Sequence, residues 1–374
     1  MALRCAALAL IVFAATMGFD LPAPPVPAHA VWADLALVVL ACACGVALLS
    51  GQLRLLVEPV LVAYVGWLMI SAALDPGPWP ERVRPVVGAL GLGTLLTLTA
   101  MLTSTVDGLS DRILRAWIGG VVVLGLIGLA AGVSAQLGHE WGLHRGDGEL
   151  GLALRPSGLQ RVGLLAELAL VPLLVVVDDG ERLLGRWLRR VVLVVLSVVL
   201  IAGLTRTLLA AVLGIALLTL RTRRHKAVAV FVIAVVWLAA FVIDVHGVAT
   251  GVRLRIVVDA LHRLRGHWLI GGGGERDVAT IGWPAPHDAP RSFDAHLTLI
   301  DLVARWGVPA ALLFVALFVS ALRRAAPRVF AIALYATAFD SLSVDLERFR
   351  HVWLLLGLVL GHAVRDLTAR RLPK

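Results

Sequence analysis

Long apolar runs alternate with short polar breaks along almost the whole chain. A helix needs about 20 apolar residues to cross the hydrocarbon core of a bilayer, and about 17 suffice. The pattern therefore predicts an all-α, polytopic integral membrane protein with eleven or twelve transmembrane helices in a single transmembrane domain, residues 1–374. The predicted spans lie near residues 4–20, 32–50, 55–74, 84–103, 113–134, 162–177, 190–205, 207–220, 227–244, 307–322, 329–344 and 351–365.

Three of these spans have an alternative interpretation. Only Arg206 lies between the short runs 190–205 and 207–220, which could form one tight hairpin with that arginine at its tip. The first run resembles a signal peptide, with Arg4, an apolar core and an Ala-His-Ala cleavage signal at 28–30. In either case the second span begins outside the cytoplasm.

Composition supports a membrane protein and limits the remaining classes. The 374 residues are 59% hydrophobic and 16% charged, whereas soluble domains are about 45–50% apolar and about 25% charged. A net charge of +9 would suggest nucleic-acid binding in a soluble protein. Here the charge gathers in short loops, so no nucleic acid is expected. The three cysteines lack CxxC spacing, which argues against a zinc site or a disulfide framework.

The basic loops predict the orientation of the chain. Lysine and arginine concentrate in the short cytoplasmic loops of membrane proteins. With the N-terminus inside, each compact basic cluster falls inside and the two longest loops, 135–161 and 245–306, fall outside. The clusters are Arg182, Arg186, Arg189 and Arg190; Arg221, Arg223, Arg224 and Lys226; Arg323, Arg324 and Arg328; and Arg365, Arg370, Arg371 and Lys374.

The longest polar segment, 251–307, carries most of the candidate chemistry. Apolar residues recur at helical spacing from Arg253 to Leu264, which predicts an amphipathic helix at the outer interface. The run Gly271 to Gly274 then ends it. Because no Gly-Lys-Ser/Thr follows, this run is not a phosphate-binding P-loop, and we interpret it as a turn or a close backbone approach.

Several arginines on the predicted outer face are candidates for anion binding. Arg206 is the sharpest case, because an arginine between two apolar spans is costly and is usually functional or paired. Its planar guanidinium suits a phosphate group, although a helix-end arginine can also snorkel to the interface. Glu167 is a candidate partner or a structural helix–helix contact. Arg155 and Arg161 could clamp an anion or be ordinary loop charges.

His296 stands at the outer end of the segment and is a candidate general base. An interfacial histidine without a chemical role is the alternative. His287 lies nine residues earlier and competes for the same role. The chain has no HExxH, no Asp-rich metal motif and no GxSxG, so hydrolases that depend on such motifs are not supported.

Four stretches, in order, resemble the O-antigen ligase/O-antigen polymerase family of bacterial membrane glycosyltransferases. They are RPSGLQRVGLLAELAL (155–170), LTRTLLAAVLGIALL (204–218), RLRIVVDALHRLRGHWLIGGGGE (253–275) and HLTLIDLVARWGVPAALLF (296–314). They are similar to the family elements R-x-x-G…A-x-x-L, S-R-(G/T)-x-x-(L/A), R-x-x-x-W-x-x-A-L…P-L-x-G-x-G and H-N-x-x-L-x-x-x-x-x-x-G-x-x-G. The second glycine of the last element is missing, with Pro309 or Ala310 in its place. The chain has Leu297, Val257 and Thr205 where the family usually has Asn, Trp and Ser.

The resemblance implies a GT-C-type, inverting, metal-independent transferase without a cofactor. It would work at the outer face of the bacterial cytoplasmic (inner) membrane on a glycan carried by undecaprenyl diphosphate. His296 would deprotonate the acceptor hydroxyl. Arg206 and Arg253 would neutralise the diphosphate, with Arg155 and Arg161 assisting. Arg255 and His287 are secondary candidates.

Three functions follow as hypotheses. A ligase would move the whole glycan to a lipid A–core or similar acceptor, whereas a polymerase would extend lipid-linked repeat units of O-antigen or exopolysaccharide. Both share the donor and the site. A transporter of polyprenyl-linked glycans would instead place polar residues on many spans around a central cavity; an inert membrane scaffold is the remaining alternative.

Overall fold

The apolar runs of the chain form α-helices over most of its length. The computed structural model describes residues 1–18, 32–75, 77, 79–136, 164–203, 207–246, 257–262, 264, 266–272, 279–281, 291–293, 297–342 and 349–371. Helices α1 to α9 span Ala2–Thr16, Trp32–Leu49, Pro59–Leu74, Trp79–Thr105, Leu109–Gln136, Leu164–Leu184, Arg186–Gly203, Thr207–Thr219 and Arg223–His246, in that order. The C-terminal part adds α10 (257–262), α11 (Thr298–Trp306), α12 (Val308–Arg324), α13 (Arg328–Asp340) and α14 (Arg350–Arg371).

The predicted all-α architecture is confirmed for the described residues, with one small addition. Two three-residue strands, β1 (Ala279–Ile281) and β2 (Arg291–Phe293), pair antiparallel within the predicted 245–306 loop. Their register places Ala279 opposite Phe293 and Ile281 opposite Arg291. The strands bring the chain on either side of 282–290 together.

The described helices have the apolar character expected of a membrane-associated protein. Three of them are long and apolar enough to cross a bilayer: Arg82–Thr105, Leu109–Ser134 and Arg350–Ala369. Shorter apolar helices over the described residues are Ala2–Thr16, Ala33–Leu49, Pro59–Leu74 and Thr207–Thr219. The larger number of spans in the predicted polytopic topology stays a prediction.

Small residues allow the helices to approach closely. A Cβ atom on Gly357 of α14 would lie 2.7 Å from the carbonyl oxygen of Leu96 on α4, and one on Gly361 would lie 1.9 Å from the Thr103 hydroxyl. The order of these contacts shows that α4 and α14 run parallel. Close approach through glycine is a common way to pack apolar helices against one another, because it increases van der Waals contact.

Three ion pairs between neighbouring parts of the chain lie at one end of the bundle. Arg182 at the end of α6 bonds Asp111 at the start of α5 at 2.6 Å, and Arg324 at the end of α12 bonds Glu58 before α3 at 2.6 Å. Hydrogen bonds with Asp111 and with Asp179 raise the pKa of the Arg182 guanidinium. We call this the basic end and define it by Glu58, Asp107, Asp111, Arg182, Arg324, Arg328 and Arg365.

The contact between α1 and α5 provides a test of this packing. Gly120 of α5 faces α1 so closely that an added Cβ would lie 2.1 Å from the carbonyl oxygen of Ala15. The adjacent Gly119 has nothing within 4 Å of the same position. Gly120→Ala is expected to lower the free energy of unfolding by about 1–3 kcal/mol, because the two backbones must separate.

Gly119→Ala is the matched control on the same turn of helix. Since alanine is the better helix former by about 0.5–1 kcal/mol, this variant is expected to be neutral or slightly more stable. Thermal unfolding of both variants in detergent micelles measures the difference. Equal stability of the two variants would contradict the close approach of α1 and α5.

Candidate functional site

Helices α8 and α13 connect the basic end to the opposite end of the bundle. Arg328, the first residue of α13, donates hydrogen bonds to the carbonyl oxygens of Leu217 and Leu218 at the end of α8. Asp340, the last residue of α13, bonds Thr207, the first residue of α8. The two helices are therefore antiparallel and joined at both ends. The 13 residues of α13 place these two ends about 20 Å apart.

The end away from the basic end has its own set of contacts between helices. Asp34 near the start of α2 forms an ion pair with Arg350 at the start of α14. The indole of Trp67 on α3 donates to the carbonyl oxygen of Trp306 at 2.9 Å. We call this the motif end and define it by Asp34, Ser71, Thr207, Thr298, Asp340, Ser341 and Arg350.

The last turn of α13 joins the starts of two other helices at the motif end. The Thr207 hydroxyl and a carboxylate oxygen of Asp340 are 3.3 Å apart. The backbone N–H of Thr298, at the start of α11, donates to the carbonyl oxygen of Ser341 at 3.2 Å. Adjacent residues at the end of α13 therefore hold the starts of α8 and α11 at the same end of the bundle.

A buried acidic residue from α6 lies at the same level. Gly214 of α8 packs against Leu174 of α6, since a Cβ atom added to this glycine would lie 2.5 Å from a methyl group of the leucine. The two helices run parallel, so the residues two turns earlier, Thr207 and Glu167, lie at one height. Glu167 is 7% exposed. Buried polar groups of this kind are costly unless they are paired or have a function.

The chain around 264–272 packs against the junction between α11 and α12. The N–H of Gly272 donates to the carbonyl oxygen of Ala304 at 2.7 Å, and the N–H of Val308 donates to that of Trp268 at 2.8 Å. Ala260 of α10 and Leu264 are buried, as predicted for the apolar face of an amphipathic helix, although Leu261 is 40% exposed. These hydrogen bonds join residues 268–272 to the end of α11 and the start of α12.

Two glycines make this junction possible. Gly271 has φ +71° and Gly307 has φ +82°, values that residues with a side chain rarely adopt. A Cβ on Gly271 would lie 2.3 Å from the carbonyl oxygen of Arg305, and one on Gly307 would lie 1.9 Å from that of Leu269. The interpretation of the glycine run as a close backbone approach is therefore confirmed at Gly271, and Gly307 separates α11 from α12.

A buried ion pair stabilises the shape of α11. Arg305 donates to Asp301 at 2.7 Å, one turn apart on the helix, and both residues are 4% exposed or less. Thr298 at the start of the same helix is fully buried. The helix therefore keeps a polar face inside the bundle, on which the arginine and the aspartate neutralise each other.

The predicted site residues themselves lie outside the described residues. These are His296, Arg206, Arg253, Arg155, Arg161, Arg255 and His287. For Arg161, Arg206 and His296, the structure describes residues that follow shortly after in the sequence. Thr207 follows Arg206 directly, Leu164 follows Arg161 by three residues, and Thr298 follows His296 by two. These neighbours begin α8, α6 and α11, helices whose first turns lie at the motif end.

Several residues of the motif end were not predicted from the sequence. Asp340 carried a signal that could have identified it, because it is an acidic residue inside the apolar span predicted at 329–344. Thr207, Trp67 and Ser71 carried none, since Thr, Trp and Ser are ordinary residues in membrane helices. Their role is visible only from the helix that each one contacts.

Comparison of the chain with models of known protein families and with curated proteins found no match. Among the described residues, no group of three or more His, Cys, Asp or Glu side chains is close enough to hold a metal ion. The function must therefore be inferred from the residues and from the way the helices bring them together.

The glycine at the α11–α12 junction generates a prediction about stability. Gly307→Ala would put a side chain on a left-handed residue and drive its Cβ into the Leu269 carbonyl. The variant is expected to lose about 2–5 kcal/mol of unfolding free energy, from backbone strain of about 1–2 kcal/mol and from overpacking. Thermal unfolding in lipid nanodiscs measures the loss.

Gly266→Ala separates the two contributions. Gly266 has φ +89°, yet nothing lies within 4 Å of its Cβ position. This variant is expected to lose only the backbone term of about 1–2 kcal/mol. A loss in Gly307→Ala no larger than that in Gly266→Ala would contradict the close contact between Gly307 and Leu269.

Proposed function

We propose that the chain is an O-antigen ligase-like glycosyltransferase. It moves a glycan from undecaprenyl diphosphate to a lipid A–core or similar acceptor hydroxyl, at the outer face of the bacterial cytoplasmic membrane. The four stretches that resemble the family give the reaction class. The observation that carries the proposal is that the helices following Arg161, Arg206 and His296 all begin at the motif end.

This placement of helix starts agrees with the arrangement that the proposal needs. The helices that follow Arg161, Arg206 and His296 in the sequence begin at the motif end. Arg182 and Arg324, which pair with acidic residues of neighbouring helices, lie at the basic end, whereas Arg350 pairs with Asp34 at the motif end. Because basic loops face the cytoplasm, the motif end faces outward under this proposal.

The proposed reaction is a single displacement. His296 takes the proton of the acceptor hydroxyl as its oxygen attacks the anomeric carbon of the donor sugar. The bond from that carbon to the diphosphate oxygen breaks, and undecaprenyl diphosphate leaves with the electron pair. Attack from the face opposite the leaving group inverts the anomeric carbon.

The arginines supply the electrostatic part of the reaction. The leaving diphosphate gains negative charge, and fixed guanidinium groups stabilise that charge most where water is scarce. Arg206 and Arg253 have this role in the proposal, with Arg155 and Arg161 beside them and Arg255 and His287 as secondary candidates. The bridge from Thr207 through Asp340 and Ser341 to Thr298 supports it, because it ties the helix after Arg206 to the helix after His296.

Glycan transfer in membranes tests the proposal. Membranes that contain the protein are supplied with a lipid-diphosphate-linked glycan and an acceptor, and the linked product is measured. His296→Ala is expected to lower the rate by about 10²–10⁴-fold, the usual contribution of a general base. Arg206→Ala is expected to cause a comparable loss, because one preorganised group that stabilises developing charge contributes about 10²–10³-fold.

Matched controls come from exposed residues near the basic end. His225→Ala and Arg221→Ala remove the same side-chain types from exposed positions at the start of α9 and just before it, and both are expected to retain full transfer. Product on the lipid A–core identifies a ligase, and longer lipid-linked chains identify a polymerase. Unchanged product in His296→Ala, or movement of the lipid-linked glycan across the bilayer without a new bond, would contradict the proposal.

A further inference from the structure

We infer that α3, which lies outside the stretches resembling the family, is a positioning element of the transferase site. Trp67 and Ser71 hold the junction of residues 268–272 with α11. They thereby fix the position of α11. The inference rests on the proposed function, because His296 precedes α11 by two residues.

The contacts of α3 reach both sides of that junction. The hydroxyl of Ser71 donates to the carbonyl oxygen of Ile270 at 2.6 Å, and the indole N–H of Trp67 donates to that of Trp306 at 2.9 Å. These carbonyl groups belong to parts of the chain that residues 273–296 separate in the sequence. A single helix therefore holds residues 268–272 and the end of α11.

Helix α3 is itself fixed along its length. Before its first turn, Glu58 accepts hydrogen bonds from Arg324 at 2.6 Å and from Ser320 at 3.0 Å on α12. In the middle, the ring of Tyr64 lies 6.0 Å from that of Phe314 and 6.1 Å from that of Trp353. Because polar pairs hold one end and aromatic packing holds the centre, α3 cannot slide along α12 without breaking both.

The polar character of these contacts gives them directional precision. An apolar surface would let α11 rotate or slide, whereas a hydrogen bond defines both distance and angle. The backbone hydrogen bonds Gly272 to Ala304 and Val308 to Trp268 lie directly beside the two contacts from α3. Loss of either donor on α3 would leave a carbonyl without that hydrogen bond and loosen the junction.

Catalysis is sensitive to such changes because the base must meet the acceptor hydroxyl in a narrow range of positions. A displacement of about 1 Å can cost about 10²-fold in rate. Of the two arginines proposed to bind the diphosphate, Arg206 adjoins α8, which α13 holds independently of α3, and only Arg253 precedes the 268–272 junction along the chain. Changes in α3 should therefore affect turnover more than donor binding.

The test compares Ser71→Ala and Trp67→Phe with the wild-type protein in lipid nanodiscs. Transfer from a lipid-diphosphate-linked glycan gives kcat and the donor KM, and hydrogen exchange gives the protection of the Gly272 and Val308 amides. Both variants are expected to lower kcat about 10- to 100-fold with little change in donor KM. They are also expected to accelerate exchange of these two amides, with the exchange of α7 and α9 near the basic end unchanged.

Ser320→Ala is the matched control, because it removes a hydrogen bond from the other end of the α3–α12 pair while the Glu58–Arg324 bond remains. It is expected to retain wild-type kcat. An equal loss in Ser320→Ala, normal kcat in both α3 variants, or unchanged amide exchange would overturn the inference while leaving the proposed function intact. Absence of transfer by the wild-type protein would instead overturn the proposed function, and the inference with it.

Discussion

The motif end depends on hydrogen bonds made by two adjacent residues, Asp340 and Ser341. One accepts from the first residue of α8, and the other accepts from the first residue of α11. Asp340 and Thr207 are almost completely buried, and a buried polar group without a partner costs roughly 2–7 kcal/mol in an apolar environment. The cost of leaving these groups unpaired determines which helix ends meet, in a bundle whose apolar surfaces could pack in many ways.

A second constraint is the contact of backbone with backbone at the α11–α12 junction. The carbonyl group of Arg305 lies close to Gly271, and that of Leu269 lies close to Gly307, because neither glycine has a side chain. Backbone hydrogen bonds then close the junction, and α3 holds it from the side through Ser71 and Trp67. Residues 268–272 and the α11–α12 junction, which flank residues 273–296 in the sequence, are therefore held to each other and to α3.

The apolar pattern predicted most of the helices, because each long helix carries its own signal, but it left α11 (Thr298–Trp306) within the predicted outer loop 245–306. The span predicted at 55–74 corresponds to Pro59–Leu74, and the one at 351–365 lies within Arg350–Arg371. A proline at the start of α3 and a glycine before α12 mark boundaries that local chemistry determines.

The contacts between helices could not be predicted in the same way. Ser71 and Ile270 are 199 residues apart, and Trp67 and Trp306 are 239 apart, so no local pattern connects them. The sequence singled out Glu167 as an acidic residue within an apolar run, but not Asp340, which carries the same signal in the span at 329–344. The predicted roles of Arg206, Arg253 and His296 rest on the resemblance and stay predictions.

The most direct measurement of the central claim asks which side of the membrane each end of the bundle faces. Single cysteines replace His267 and Leu74, exposed near the motif end, and Arg186 and Arg221, exposed near the basic end. Cys5, Cys42 and Cys44 are first changed to alanine, and a membrane-impermeant maleimide is added to right-side-out vesicles. Labelling at 267 and 74, with labelling at 186 and 221 only after permeabilisation, is the result that the proposed orientation predicts. Labelling of both ends from one side, or the reverse pattern, would contradict it.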